Sequence, residues 1–164
     1  MKKVIILMLA ASSLYLSPLP AKAGAIMFPQ CKLSQHGNEA KLLFTLHNPS
    51  EQPWKFLQWK TPFDAWFSEF IHITHKGVQI PYEGALMKRG EPNKEDYLIL
   101  KAGENVQVEL ELAQAFRLNN GEYTVEISPI LLTPLTKSQL ENSSLELTCP
   151  KIRINLINRH EKHL

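Results

Sequence analysis

Residues 106–112 read VQVELEL, and this stretch decides the fold class. Every second position is valine or leucine, and glutamine or glutamate stands at each position between them. Successive side chains of a β-strand point to opposite faces, so this alternation predicts a strand with one buried and one solvated face.

Shorter segments with the same period flank this strand at spacings of about ten residues. After residue 23 no helical periodicity is sustained, and 113–118 predicts at most one helical turn. The pattern predicts one all-β domain, a sandwich or barrel of about eight strands, with residues 24–36 and 129–143 irregular. The other predicted strands are 41–47, 54–60, 70–75, 78–82, 96–100, 121–127, 145–149 and 152–156.

The amino terminus has the layout of a secretory signal peptide. A basic start at residues 1–3 precedes a short apolar run at 4–16, and residues 21–23 read AKA, a small-x-small cleavage site. The run is too short to span a membrane, so residues 1–23 predict export to the periplasm or the medium, with no membrane span. Residues 24–157 then form the β-sandwich domain, and 158–164 form a polar tail.

Charge gives little indication of a partner. Removing residues 1–23 takes away three lysines and no acid, which leaves 18 − 3 = 15 basic against 16 acidic residues. A chain so near neutrality has no electrostatic attraction to nucleic acid or to anionic lipid. We therefore expect no nucleic-acid partner. We also expect a monomer.

The two cysteines, Cys31 and Cys149, stand near opposite ends of the predicted domain. In an oxidising compartment two lone cysteines most simply pair with each other. The alternative is two unpaired buried thiols. A catalytic thiol is disfavoured because no Cys-x-x-Cys is present.

No residue set for catalysis is apparent, and we expect no catalytic residue, no cofactor and no metal site. His72 and His75 are three apart, a spacing that puts them on opposite faces of a strand. Residues 160–163 read HEKH, whose spacing differs from the His-Glu-x-x-His of zinc peptidases. Nucleophile-elbow and phosphate-loop motifs are also missing from the sequence, so we expect a protein that is not an enzyme.

Aromatic residues are concentrated between residues 54 and 70. We expect Trp54 and Trp59 to pack in the core. Trp66 and Phe67 lie in a predicted loop, 61–68, where two interpretations stay open. They either cap one end of the sandwich or remain exposed as a partner-binding surface.

Six blocks of sequence resemble, in order, the N-terminal immunoglobulin-like region of secreted deuterolysin-type and peptidyl-Lys zinc endopeptidases. The resemblance covers residues 40–128 and implies an immunoglobulin-like antiparallel β-sandwich. The catalytic domain of that family carries His-Glu-x-x-His, which does not occur in this sequence. The blocks are 44–53 (FTLHNPSEQP), 57–63 (LQWKTPF), 80–84 (IPYEG), 88–92 (KRGEP), 96–104 (DYLILKAGE) and 121–125 (GEYTV).

In that family the N-terminal region acts as a pro-region that assists folding and blocks the active site. The resemblance therefore implies a partner that is a secreted zinc metalloprotease, bound as an inhibitor or folding partner would bind it. Lys88 and Arg89, in the polar loop 82–97, are the residues we expect to enter a substrate-like pocket. An ion pair of Arg89 with Asp96 or Glu95 is the alternative. A second hypothesis is an adhesion or ligand-binding module that uses the 61–68 loop.

Overall fold

The computed structural model describes residues 27–135 and 144–157, and within them the chain is all-β. The predicted signal peptide and polar tail lie outside the described residues. The strands are β1 (Gln30–Gln35), β2 (Lys41–His47), β3 (Trp54–Leu57), β4 (Ile71–His75), β5 (Val78–Gln79), β6 (Tyr97–Leu100), β7 (Asn105–Glu111), β8 (Gly121–Ile127), β9 (Ile130–Pro134), β10 (Leu145–Leu147) and β11 (Ile152–Leu156). Three short 3₁₀ turns occupy Pro62–Asp64, Lys94–Asp96 and Leu112–Gln114.

The strands form three antiparallel sheets. Sheet 1 has the order β1-β2-β7, sheet 2 the order β10-β9-β3-β6, and sheet 3 the order β11-β8-β4-β5. The alternating stretch at 106–112 lies in β7, where Val108 pairs with Phe44 and Leu110 with Leu42 of β2. Phe44 and Leu42 are fully buried, as expected for the inward face of such a strand.

All three sheets contribute to one hydrophobic core. Phe44 from sheet 1, Phe56 from sheet 2 and Ile73 from sheet 3 belong to the same buried cluster. Sheets 1 and 3 also meet at an edge, where the side-chain amide of Gln35 donates to the Asn155 carbonyl at 3.0 Å and accepts from its N–H at 3.1 Å. The all-β prediction is confirmed, and the sheets are compatible with a β-sandwich.

The strand inventory adds two strands to the sequence-based one, and it shortens the predicted strands 54–60 and 78–82, which end at Leu57 and Gln79. The predicted irregular segment 24–36 contains β1, and the predicted connection 129–143 contains β9. In β1 only Leu33 is buried, so the segment has little pattern of its own and is held by pairing along its whole length with β2. In β9 a proline stands at the last position, where the lost N–H is tolerated. Eleven strands are thus described instead of about eight.

The predicted disulfide is confirmed. Cys31 of β1 and Cys149, which lies between β10 and β11, are bonded, with Cα atoms 5.3 Å apart and a sequence separation of 118. The bond encloses nearly the whole domain in one covalent loop. Over the described residues, no helix is both long enough and apolar enough to cross a membrane.

A buried polar corner joins the end of β2 to the end of β6. Asn48 is fully buried, and its Nδ2 lies 2.9 Å from the Gln52 carbonyl and 2.8 Å from the Lys101 carbonyl. Its Oδ1 accepts from the Ser50 hydroxyl at 2.6 Å, and Ser50 in turn accepts from the Trp54 indole N–H at 3.1 Å. This network supplies hydrogen-bond donors to backbone carbonyls in a partly buried corner.

Candidate functional site

The 61–68 loop is a tight, partly strained turn. The Thr61 hydroxyl accepts from the Phe63 N–H at 3.2 Å and begins the 3₁₀ turn, with Pro62 at its first position. Lys60, with φ 57°, and Ala65, with φ 52°, flank the turn in the left-handed region, which a side chain disfavours. Such strain persists only where surrounding contacts impose it, and it is often found at binding sites.

Asp64 supplies those contacts from inside the loop. Its side chain is 5% exposed, and both carboxylate oxygens bind the Arg89 guanidinium, Oδ1 at 2.6 Å and Oδ2 at 2.9 Å. Oδ2 also accepts from the Ser68 hydroxyl at 2.6 Å and from the Lys60 N–H at 3.1 Å. We call this assembly of Asp64, Arg89, Ser68 and the Lys60 N–H the clasp. A bidentate arginine pair fixes orientation as well as distance, so the clasp sets the position of the 82–97 loop against the 61–68 loop.

Trp59 covers one face of the clasp. The Arg89 guanidinium carbon lies 4.9 Å from the Trp59 ring centroid, in cation–π geometry. The Trp59 indole N–H donates to Asp96 Oδ1 at 3.1 Å, and Asp96 Oδ2 accepts from the Asn93 N–H at 2.8 Å. The ion-pair partner of Arg89 is therefore Asp64, and the alternative pair with Asp96 or Glu95 is wrong: Asp96 accepts from the Trp59 indole N–H instead.

Two further contacts join the loops beside the clasp. The Met87 N–H donates to the Phe67 carbonyl at 3.0 Å, and the Tyr82 hydroxyl lies 2.9 Å from the Trp66 carbonyl. Burial raises the pKa of Tyr82 above its ordinary value of 10.0, and the carboxylates of Glu69 and Asp64 raise it further. The phenol therefore stays protonated and able to donate at neutral pH.

The structure gives different surroundings to the neighbouring residues Trp66 and Phe67. Trp66 is half-buried, stacks on Phe70 at 5.1 Å between ring centroids and meets the edge of Phe116 at 6.1 Å. These are the contacts of a residue that caps the core. Phe67 is 46% exposed, and its partner-binding role stays a prediction.

Lys88 and Arg89 also differ. The Arg89 side chain is 16% exposed and engaged in the clasp, whereas Lys88 is exposed and no ion pair is recorded for it within the described residues. Leu86 and Met87 precede Lys88 in sequence, and the Phe67 carbonyl accepts from the Met87 N–H; Phe67, Leu86 and Met87 expose 46%, 72% and 54% of their surface. We call Phe67, Leu86, Met87 and Lys88 the exposed face.

A surface cleft of about 570 Å³ runs beside the exposed face. Its lining includes Trp59, Phe63, Phe67, Met87 and Arg89. The acids Asp64, Glu91 and Asp96 also line it, so the cleft combines apolar and charged side chains, as polypeptide-binding surfaces do.

Among the described residues, no group of three or more histidine, cysteine, aspartate or glutamate side chains is placed so that it could hold a metal ion. His72 Nε2 lies 3.1 Å from the Ser128 hydroxyl, while His75 Nδ1 lies 2.8 Å from the Glu122 carbonyl. The two histidines thus have separate partners, as their spacing predicts.

Sequence reasoning identified Arg89 but not the other members of the site, of which Asp64 and Trp59 matter most. Asp64 is one of only two aspartates, and its position inside an aromatic loop is the one signal that could have singled it out. Trp59 was expected only to pack in the core, but its ring covers Arg89 and its N–H binds Asp96.

Comparison with known proteins gives a limited result. No protein-family model matches the chain. An extracellular protease of Aeromonas hydrophila is 30% identical over 89 residues, which are 54% of this chain and 25% of that protein. The chain thus spans about a quarter of the length of the curated relative it matches. A solved structure, the structural genomics target SoR45, covers 83% of this chain and 93% of its own at 13% identity, with a TM-score of 0.38. The comparisons therefore relate part of this chain to part of an extracellular protease.

Proposed function

We propose that this chain is a secreted or periplasmic, non-catalytic β-sandwich that binds a zinc metalloprotease as an inhibitor or folding partner. The similarity to part of an extracellular protease supports a protease-associated role. The disulfide supports an oxidising compartment outside the cytoplasm. The resemblance to a metalloprotease pro-region supports the choice of a zinc metalloprotease as partner and the role of inhibitor or folding partner.

The observation that carries the proposal is the clasp beneath the exposed face. Asp64 and Arg89 fix the base of the 82–97 loop, while Met87 and Lys88 stand exposed above it. A binding loop that is already ordered loses less conformational entropy on association, which favours tight binding. A loop that inserts into a protease cleft gains most from such preorganisation.

Within this surface we assign different roles to the two basic residues. Lys88 is the one that enters a pocket of the protease, because it is exposed and forms no ion pair with an acid of the described residues. Arg89 is a positioning residue, because its guanidinium is bound to Asp64 and covered by Trp59.

An exposed patch of Trp66 and Phe67 away from the 82–97 loop would favour the adhesion hypothesis. The Phe67 carbonyl instead accepts from the Met87 N–H, so the exposed aromatic residue and the basic loop lie on one surface. No observation favours adhesion over protease binding, and the adhesion role stays a prediction.

The test uses the purified protein and, as its first probe, the Aeromonas hydrophila extracellular protease. Complex formation is measured by size exclusion, and hydrolysis of a peptide substrate is followed with and without EDTA to identify zinc-dependent activity. We expect a complex and a reduced rate of hydrolysis. Lys88→Ala removes a desolvated anchor and weakens binding about 30-fold, equivalent to about 2 kcal/mol.

The matched control is Lys32→Ala, which removes an exposed lysine of β1, remote from the loop in sequence, and leaves binding unchanged. A complex without loss of protease activity would favour the folding partner over the inhibitor. Equal binding by Lys88→Ala and the unmodified protein would show that the loop is not the contact. Absence of any complex with this or other secreted zinc proteases would refute the proposal.

A further inference from the structure

The exposed loop around Lys88 has the properties of a site of limited proteolysis. Residues 80–93 contain no strand or helix, and residues 85–88 are all exposed. Within 84–92 of this loop the backbone makes one recorded backbone hydrogen bond, from Met87 to Phe67. Endopeptidases bind substrates as extended chain, so an exposed segment free of secondary structure is readily accommodated.

The two residues that flank Lys88 are both attached to the body of the protein. Met87 is held through its N–H at 3.0 Å from the Phe67 carbonyl, and Arg89 through its side chain at 2.6 Å from Asp64 Oδ1. Neither attachment uses the carbonyl of Lys88 or the N–H of Arg89. Cleavage of the peptide bond between them therefore leaves both attachments in place.

We propose that the Lys88–Arg89 bond is a processing site, and that the nicked chain stays folded as two interleaved fragments. The cleaving enzyme is an endopeptidase that accepts a basic side chain on the amino-terminal side of the bond. Hydrolysis consumes one water: the C–N bond breaks, Lys88 gains a carboxylate and Arg89 gains an α-ammonium group. This inference goes beyond the proposed function, because it requires no metalloprotease partner.

The sheet topology explains why the nicked chain holds together. A cut after Lys88 leaves β1 to β5 on one fragment and β6 to β11 on the other. Each sheet contains strands from both: β7 pairs with β2 in sheet 1, β3 lies between β9 and β6 in sheet 2, and β4 pairs with β8 in sheet 3. The fragments are also linked covalently, because Cys31 is on the first and Cys149 on the second.

The clasp also makes the cut selective between two adjacent basic residues. A trypsin-like pocket must take up the whole side chain on the amino-terminal side of the bond. Lys88 is exposed, whereas the Arg89 guanidinium is bound to Asp64 and stacked on Trp59. Cleavage therefore follows Lys88 and not Arg89, although an isolated peptide of this sequence presents both.

Limited digestion with trypsin tests the inference. The folded protein is digested at low enzyme ratio, cut positions are identified by mass spectrometry, and the product is examined on gels with and without reductant. We expect a cut after Lys88, one band without reductant and two with it, and co-elution of the fragments on size exclusion even in reductant. The nicked protein retains its β-sheet circular dichroism.

Three variants test whether the clasp, and not exposure of the loop alone, prevents cleavage after Arg89. In Lys88→Ala, cleavage of the loop is slower by about tenfold or more, because Arg89 is held. In Lys88→Ala with Asp64→Asn, a cut after Arg89 appears. Lys88→Ala with Glu91→Gln is the matched control: Glu91 is an exposed loop acid outside the clasp, and the loop stays resistant.

Absence of a cut after Lys88 in the folded protein would overturn the inference, as would loss of β-sheet signal on nicking. Cleavage after Arg89 in Lys88→Ala alone would also overturn it, because it would mean that the clasp does not withhold that side chain. None of these results depends on a protease partner, so failure of the proposed function and failure of this inference are distinguishable.

Discussion

Replacing Arg89 by methionine removes the guanidinium from the clasp and keeps an apolar stem against Trp59. The Asp64 carboxylate, 5% exposed, then retains only the Ser68 hydroxyl and the Lys60 N–H as donors. Breaking a buried pair by removing one partner costs about 3–5 kcal/mol. Arg89 is itself 16% exposed, so partial solvation reduces this, and we expect a loss of about 2–3 kcal/mol in the free energy of unfolding.

A double-mutant cycle isolates the pair. Arg89→Met and Asp64→Asn each leave one charge without its partner, whereas the double variant leaves none. We expect the double variant to be more stable than the sum of the single effects by about 1.5–3 kcal/mol. Urea unfolding measures the free energies, followed by tryptophan fluorescence because Trp59 stacks on Arg89.

The surface pair of Lys151 and Glu126 provides the matched control. Its atoms are 2.7 Å apart, but the side chains are 61% and 39% exposed. The corresponding cycle, Lys151→Met with Glu126→Gln, should give a coupling below about 1 kcal/mol. If the coupling between Asp64 and Arg89 is no larger than that of this control, the clasp does not hold the two loops together and the reasoning is refuted.

Three further outcomes are expected. Reduction of Cys31–Cys149 should lower the melting temperature, because a crosslink over a loop this long contributes about 4–5 kcal/mol in the chain-entropy model; an unchanged temperature after both thiols become titratable would contradict this. Asn48→Asp should destabilise more than Asn48→Ala in urea unfolding, because it directs a carboxylate oxygen at backbone carbonyls; the reverse order would contradict the hydrogen-bond assignment. Tyr82 has a higher pKa in the folded state than in the unfolded chain, so it binds its proton more tightly when folded. The contribution of the protonated phenol to the free energy of unfolding is therefore complete below pH 10.0 and is lost as pH rises through the folded pKa. The melting temperature of Tyr82→Phe should accordingly fall less steeply with pH above pH 10.0 than that of the unmodified protein. An equal slope in the two proteins would contradict this prediction.

The fold class could be predicted because its signal is local. In strands such as β2 and β7 one face is more buried than the other, so apolar residues alternate with polar ones along the strand itself. β1 and β9 could not be predicted in the same way, because pairing with a neighbouring strand, more than their own pattern, defines them as strands.

The clasp could not be predicted because loops have no period. Asp64 and Arg89 are 25 residues apart in sequence, and nothing in either segment fixes their separation in space. The same limit applies to Trp66 and Phe67: adjacent loop aromatics are equivalent in sequence, yet one packs against Phe70 and the other is exposed.

The mixing of early and late strands within every sheet also determines when the chain can fold during synthesis. β3 has to await β6 and β9, and β4 has to await β8, before either gains a long strand neighbour. The disulfide cannot close until residue 149 has been made. Such distant pairings slow folding, because loop closure precedes any gain from contact. The β1–β2 and β4–β5 hairpins need only local sequence, but the rest of each sheet cannot assemble until strands from the second half of the domain have been translated.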